Sequence, residues 1–408
     1  MTVDNTHRCD VAIAGGGPVG LTLALALARR GFEVTVADAA AAPEKGKGPT
    51  DSRAYFIAYG CWRIFRALGL EEKLLPSAEP VLQVGAEGGL GGISFIAEDC
   101  TEPALGYMIE GSALGAVLHA AVSADPHIKL MSGARIDAVS FGAASAKLEI
   151  GDLTVAAALV VGCDGANSLV RKAADLRFEG HDYDASAIST TITLGKPHNG
   201  TARQIFLSRG PMAVLPLPDD KKEGDRANLI WTERTLVAEA LAGLSDDEFE
   251  RELAKTAGEF VPGAKLAGPR HRFPLRLHVA ERFDGHRVAL AGDAAHVIHP
   301  LAGQGLNLGL KDVAALVDVI AEAQRVGLDI GAASALAPYT TWRRGDVAAT
   351  AAAMEGFARA FTSVLPVRLA AAAAMAAAGT IPGARKAFAR EAGGDLGELP
   401  SLMTREAS

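Results

Sequence analysis

Gly292-Asp293-Ala294-Ala295-His296 follows the apolar run Val288-Ala289-Leu290-Ala291, and His299-Pro300-Leu301-Ala302-Gly303-Gln304-Gly305-Leu306-Asn307 comes soon after. An acid closing a buried strand can accept hydrogen bonds from sugar hydroxyls. A glycine-rich loop that opens a helix, here near Leu306, offers bare backbone N–H groups and a positive dipole end to an anion. Nearly 280 residues upstream, Gly15-Gly16-Gly17-Pro18-Val19-Gly20 stands between a second apolar run and a second helical stretch. In that spacing Gly15 permits a tight turn, Gly17 lets backbone approach a pyrophosphate, and Gly20 lets helix and strand pack closely. Asp38 lies 18 residues after Gly20 and ends the next apolar run, where its carboxylate can accept from ribose hydroxyls. A glycine pattern alone is weak; strand, helix, length and acid together make it strong.

Two nucleotide-type signatures so far apart imply one extended cofactor held at both ends, and FAD is the candidate. A sugar phosphate would suit the second loop but leave the first unexplained. Cys163-Asp164-Gly165-Ala166-Asn167-Ser168, with Arg171 behind it, follows an apolar run at 155–161 and takes its value from sharing the ligand-collecting edge of the same sheet. Asp293, His296 and His299 admit a metal reading. Pro300 biases His299 away from helical geometry, and no further ligands cluster nearby, so no metal is expected. His296 is expected to make a hydrogen bond where the helix starts, and His299 to wall the pocket. Neither Ser112 nor Ser168 sits in a G-x-S-x-G elbow. That suits a flavin, which brings its own reactivity and needs the protein for orientation and electrostatics.

The elements that must position these residues follow from the hydrophobic pattern. Residues 10–14 and 33–38 read as buried parallel strands joined by a helix at 18–30 that Gly31 ends, a right-handed β-α-β unit. A Pro-, Gly- and Lys-rich loop spans 39–52. Helical pattern is expected over 54–75 and 112–124, and a pair of strands within 80–96. Between 180 and 280 the pattern changes to strands at 188–194, 203–207, 212–217 and 228–232, an antiparallel sheet. Residues 287–291 return to the first sheet, and Ala-rich helix is expected from Asp312 almost to the end.

Composition bounds the rest. The 408 residues can bury a substantial core, and 49% of them are hydrophobic. A net charge of −8 disfavours nonspecific nucleic-acid binding. Cys9, Cys61, Cys100 and Cys163 are scattered, with no C-x-x-C pair, which fits a reducing cytoplasm. Residues 1–10 are polar and lack the apolar segment of a secretory signal. The apolar stretch 369–379 is too short to span a bilayer and reads as a packing helix, which leaves peripheral contact with an inner membrane open.

Taken with Asp51-Ser52-Arg53-Ala54, Cys163-Asp164-Gly165, Gly210-Pro211, Pro216-Leu217-Pro218 and the string from Gly292 to Gly309, the chain resembles the flavoprotein aromatic hydroxylases, specifically the UbiH/UbiF/VisC group of ubiquinone-biosynthesis hydroxylases. Tyr339, Arg343-Arg344 and Asp346 are similar to that group as well. The resemblance implies an α/β fold of the p-hydroxybenzoate-hydroxylase kind. Its parts would be a discontinuous Rossmann-like FAD-binding domain (8–79, 100–178 and 283–335), an antiparallel substrate sheet (80–99 and 179–282) and a C-terminal helical region (336–408).

It also implies FAD reduced by NAD(P)H, reaction with O2 to a flavin hydroperoxide, and hydroxylation of a polyprenylated phenol. By position, Gly15, Gly17, Gly20 and Asp38 would hold the AMP half, Arg53 the phosphate-sugar region, and Asp164 a turn shared by FAD and nicotinamide contacts. Asp293 would hold the ribityl-pyrophosphate segment; Pro300, Gly303, Gln304 and Gly305 would surround the flavin ring, with Asn307 in the same cofactor-binding string. Two departures stand out: Asp38 is often Glu in that group, and Glu110-Gly111-Ser112 lies where many aromatic hydroxylases carry an arginine. A membrane-resident substrate would need a lipid-carrying partner, a biosynthetic complex, or work at the surface. A hydroxylase of a small soluble aromatic and a flavin-binding scaffold are the alternative readings.

Overall fold

The computed structural model describes residues 5–43, 53–88, 91–100, 102–207, 210–220, 224–298, 303–362, 383, 386, 387, 389, 390, 393–395 and 397–404. Its first sheet is built on parallel strands in the spatial order Val288–Leu290, Leu153–Gly162, Thr6–Ala14, Val34–Asp38 and Ile128–Ser132. Val11 to Ala14 have no exposed surface, as expected for strands covered on both faces. Pro18 sits in the first turn of the helix Pro18–Ala28, where its missing N–H costs nothing, and every residue from Gly20 to Ala28 is buried. That burial all round follows from its place between the sheet and the helices Gly111–Ala124 and Gln304–Arg325.

Register fixes what the sheet presents. Ala14 pairs with Gly162, and Gly162 pairs with Leu290. Three strands therefore end level, and the turns that follow them leave from one edge.

A second sheet runs in the order His296–Val297, His271–Ala280, Phe178–Thr193, Gly224–Arg234, Gly210–Asp220, Thr201–Leu207, Gln83–Gly88 and Gly91–Ile96. Its pairings are antiparallel except that between Thr201–Leu207 and Gln83–Gly88. One face, with Ile188, Ile192, Met212, Val214, Leu229 and Trp231, packs on Phe249 and Leu253 of the helix Asp246–Ala257. Ser245 and Glu248 close a capping box at the start of that helix. Ala202 and Leu217 instead meet Phe56, Val81 and Met108 of a small three-stranded sheet, Ala54–Ala58, Gly106–Glu110 and Ala78–Val81.

The mixed α/β class expected from the sequence is what the structure shows. Three expectations are corrected. Ala54–Ala58 is a strand paired with Gly106–Glu110, and helix runs only over Tyr59–Ala67 and Glu71–Leu74; a short aromatic-rich apolar run suits either state until a partner strand selects one. The glycine-loop helix begins at Gln304 rather than near Leu306. The C-terminal helical stretch is broken between Gln304–Arg325 and Ala333–Thr362, with Gly327 at a φ of +75° just past the end of the first helix. The segment 369–379 lies outside the described residues.

Candidate functional site

The glycine turn after Thr6–Ala14 is held by contacts that exclude side chains. Gly15 has a φ of +104°, and a Cβ there would lie 2.3 Å from the Cys163 carbonyl oxygen. A Cβ on Gly20 would lie 2.0 Å from the Gly15 carbonyl oxygen. Gly17 differs, because a Cβ there would meet nothing within 4 Å: it faces open space. Asp38 closes the turn from the next strand, accepting from Gly16 N–H at 2.9 Å and, through its other oxygen, from Ala40 N–H at 2.9 Å. Sequence reasoning passed over Gly16, where a Cβ would come within 2.6 Å of the Asp38 carboxylate. Its lack of a side chain is what lets that acid dock.

After Leu153–Gly162 comes the Asp164 turn. One Asp164 oxygen accepts from Leu169 N–H at 2.7 Å and Val170 N–H at 3.2 Å, capping the short helix Leu169–Ala173. The other, Oδ1, is buried with no hydrogen-bond partner. Arg171 lies across the turn, donating to Ala166 O and to Ala294 O, both at 2.8 Å, with its guanidinium 3.7 Å from the centre of the Phe178 ring. It thereby ties the second turn to the third.

The third turn follows Val288–Leu290. Gly292, at a φ of +63°, donates its N–H to Asp312 Oδ2 at 3.0 Å. Gly292, Ala294, Ala295 and His296 are buried, while the Asp293 side chain is exposed. Desolvation by the surrounding protein nevertheless raises its carboxyl above the ordinary value, opposed by His296 and Arg53. Arg53 is exposed near it, and the Arg53 carbonyl accepts from Gly111 N–H at 2.7 Å.

Gly303 caps the helix Gln304–Arg325 in a left-handed conformation, φ +63°, and a Cβ there would sit 3.2 Å from Phe56 Cβ. Gln304 and Gly305 are half-buried in the first helical turn. Asn307 is fully committed: its Oδ1 accepts from Ala58 N–H at 2.9 Å and its Nδ2 donates to Phe56 O at 2.9 Å. Its side chain braces the loop against the Ala54–Ala58 strand, which leaves no spare side-chain group for a ligand. Pro300 and His299 lie outside the described residues.

His296 does not take the expected place at the helix start. Its Nε2 lies 2.6 Å from Asp312 Oδ2, well inside the helix, and its Nδ1 is buried without a partner. Among the described residues the His/Cys/Asp/Glu group close enough to hold a metal is elsewhere, at His198, Asp219 and Asp225. There the His198 ring is already spent on Gly200 N–H and the Leu217 carbonyl. Glu110, in the place where an arginine was noted as missing, pairs at 3.0 Å with Arg226 of the second sheet.

The sequence also gave no sign of how the two glycine loops touch. Val19 follows Pro18 in the first, and a Cβ on Gly309 would meet Val19 Cγ2 at 2.7 Å; one on Gly292 would meet the same atom at 3.2 Å. Residues of two stretches far apart in the chain meet at one valine.

This arrangement fits an extended dinucleotide. It offers an open Gly17, an acid at the next strand's end, an unpartnered buried Asp164 oxygen, an exposed Asp293 at the end of a third strand, and the N-terminus of a 22-residue helix.

Known proteins agree. A family model described as "FAD binding domain" matches residues 8–352. "Ubiquinone hydroxylase UbiL" of Rhodospirillum rubrum is 37% identical over 97% of this chain and 92% of its own length. "3-demethoxyubiquinol 3-hydroxylase" of Escherichia coli is 32% identical over 88% of this chain and 91% of its own. Among solved structures, p-nitrophenol 4-monooxygenase PnpA of Pseudomonas putida superposes with a TM-score of 0.77 over 95% of this chain and 98% of its own, at 20% identity, a likeness of fold.

Proposed function

Since the chain belongs to the FAD binding domain family, with ubiquinone hydroxylases among its full-length relatives, we propose that it is an FAD-dependent monooxygenase that hydroxylates the aromatic ring of a polyprenylated phenol in ubiquinone biosynthesis. The observation that carries this is the level ending of three parallel strands, which brings the Gly15–Gly20 turn, the Asp164 turn and the Asp293 turn to one edge. Bound there, FAD would supply the redox chemistry, with NAD(P)H as the electron donor and O2 as the source of the ring oxygen, its other atom leaving as water.

The chain's own residues bind and orient. Gly17 leaves room for the pyrophosphate, and Asp38, fixed by Gly16 and Ala40, presents its carboxylate at the adenosine end. Arg53 and Asp293 face the phosphate and sugar-alcohol segment. Gly303, Gln304 and Gly305 set the start of a helix against the flavin ring. A helix N-terminus favours a nearby negative charge by about 0.3–1 kcal/mol, up to ~2 when partly buried. No side-chain base is assigned.

No described helix is long and apolar enough to cross a membrane. A prenylated substrate would then reach the site at the membrane surface or by way of a lipid-carrying partner or biosynthetic complex. The test is NAD(P)H oxidation by the purified yellow protein, with prenylated phenols and small soluble phenols compared. Stimulation by the prenylated series supports the proposal. Stimulation by small phenols alone favours a soluble substrate, and bound flavin that no phenol stimulates favours a scaffold.

A further inference from the structure

Asp312, in the third turn of the helix Gln304–Arg325, has no exposed surface. Its Oδ2 accepts from Gly292 N–H at 3.0 Å and lies 2.6 Å from His296 Nε2, while its Oδ1 accepts from Arg343 Nε at 2.8 Å. Gly292 and His296 are the two ends of the turn that carries Asp293. One carboxylate therefore pins both ends, and the residue between them that faces solvent is Asp293.

The geometry calls for a carboxylate. Three donors converge on two oxygens, and an amide would turn an N–H toward one of them. A lone buried carboxylate would be costly, and Arg343 balances it. Arg343 is in turn paired with Asp346, to which Lys311 approaches at 3.7 Å. Arg343 comes from the helix Ala333–Thr362, so the clamp is anchored from a separate element.

We propose that Asp312 is a positioning residue for the cofactor: it never touches FAD, but by holding Gly292 and His296 it aims the Asp293 carboxylate at the sugar-alcohol and phosphate segment. This rests on the reading that Asp293 faces FAD. A mere brace of the fold would affect every part of the site equally, whereas an aiming device affects only what Asp293 contacts.

The experiment uses the full-length apoprotein and calorimetric titration with FAD and with ADP, which fills only the glycine-turn half. The variants are Asp312→Asn, Asp293→Asn and the two combined. ADP affinity is expected to stay within about twofold of wild type in all three. FAD affinity should fall about tenfold or more in each single variant, and the double variant should bind no more weakly than Asp293→Asn.

Additive losses in the double variant, or equal losses of ADP and FAD affinity in Asp312→Asn, would overturn the proposal alone. Unchanged FAD affinity in Asp293→Asn would overturn the underlying reading as well. If Asp312→Asn does not fold, His296→Leu frees one end of the turn while keeping the Asp312–Arg343 pair. It should lower FAD affinity without lowering that for ADP, and unchanged FAD affinity there also overturns the proposal.

Discussion

Arg171 donates from Nη1 to the carbonyl of Ala294 across 2.8 Å, joining the Asp164 turn to the Asp293 turn, 123 residues apart in sequence. Its second bond, to Ala166 O, and its stacking on Phe178 leave it 5% exposed. Arg171→Ala strands both carbonyls, and leaving such groups unsatisfied costs about 1–3 kcal/mol each. The expected loss is about 2–6 kcal/mol of stability in urea unfolding of the apoprotein, with weakened FAD binding alongside.

Gly17 and Gly20 should separate binding from folding. Gly20→Ala forces a Cβ to within 2.0 Å of backbone and should destabilise the apoprotein markedly in a thermal melt. Gly17→Ala places its methyl in open space. It should melt like wild type yet bind FAD about tenfold or more weakly, because the methyl takes the pyrophosphate's room.

Asp293 should show a conflict between stability and function. Desolvation by the surrounding protein raises its carboxyl above the ordinary value, so the folded chain keeps this proton to a higher pH than the unfolded chain does. Between those two values the unfolded state binds fewer protons, and stability falls as pH rises. Asp293→Asn removes the penalty: its apoprotein should melt higher than wild type at neutral pH, the advantage vanishing below the ordinary carboxylate range, about pH 4. FAD affinity should fall in the same variant.

Gly309 lets two helices touch. A Cβ there meets Val19 Cγ2 at 2.7 Å, so Gly309→Ala should cost about 1–3 kcal/mol by overpacking. Combining it with Val19→Ala should recover much of that loss in a double-mutant cycle of unfolding free energies.

The sequence revealed what local chemistry alone decides. The strands Thr6–Ala14 and Val34–Asp38 were legible from the short apolar stretches within 10–14 and 33–38, and the first glycine turn as the break after Ala14. Ala54–Ala58 was not, because only its pairing with Gly106–Glu110 makes it a strand. His271–Ala280 was missed for a related reason: His, Arg and Pro interrupt it, and its extended state comes from the long strand Phe178–Thr193 alongside. Asp38, Asp164 and Asp293 could be picked out as acids after strands. The work of Asp312, Arg343 and Asn307 could not, since each acts through partners 16 to 251 residues away.

The most direct test of the account is to supply the purified protein with FAD, NAD(P)H, a prenylated phenol and isotopically heavy O2, and to weigh the product. One heavy oxygen atom on the aromatic ring per turnover is the predicted result. Product oxygen drawn from water, or NAD(P)H consumed with the phenol unchanged across the prenylated series, would contradict it.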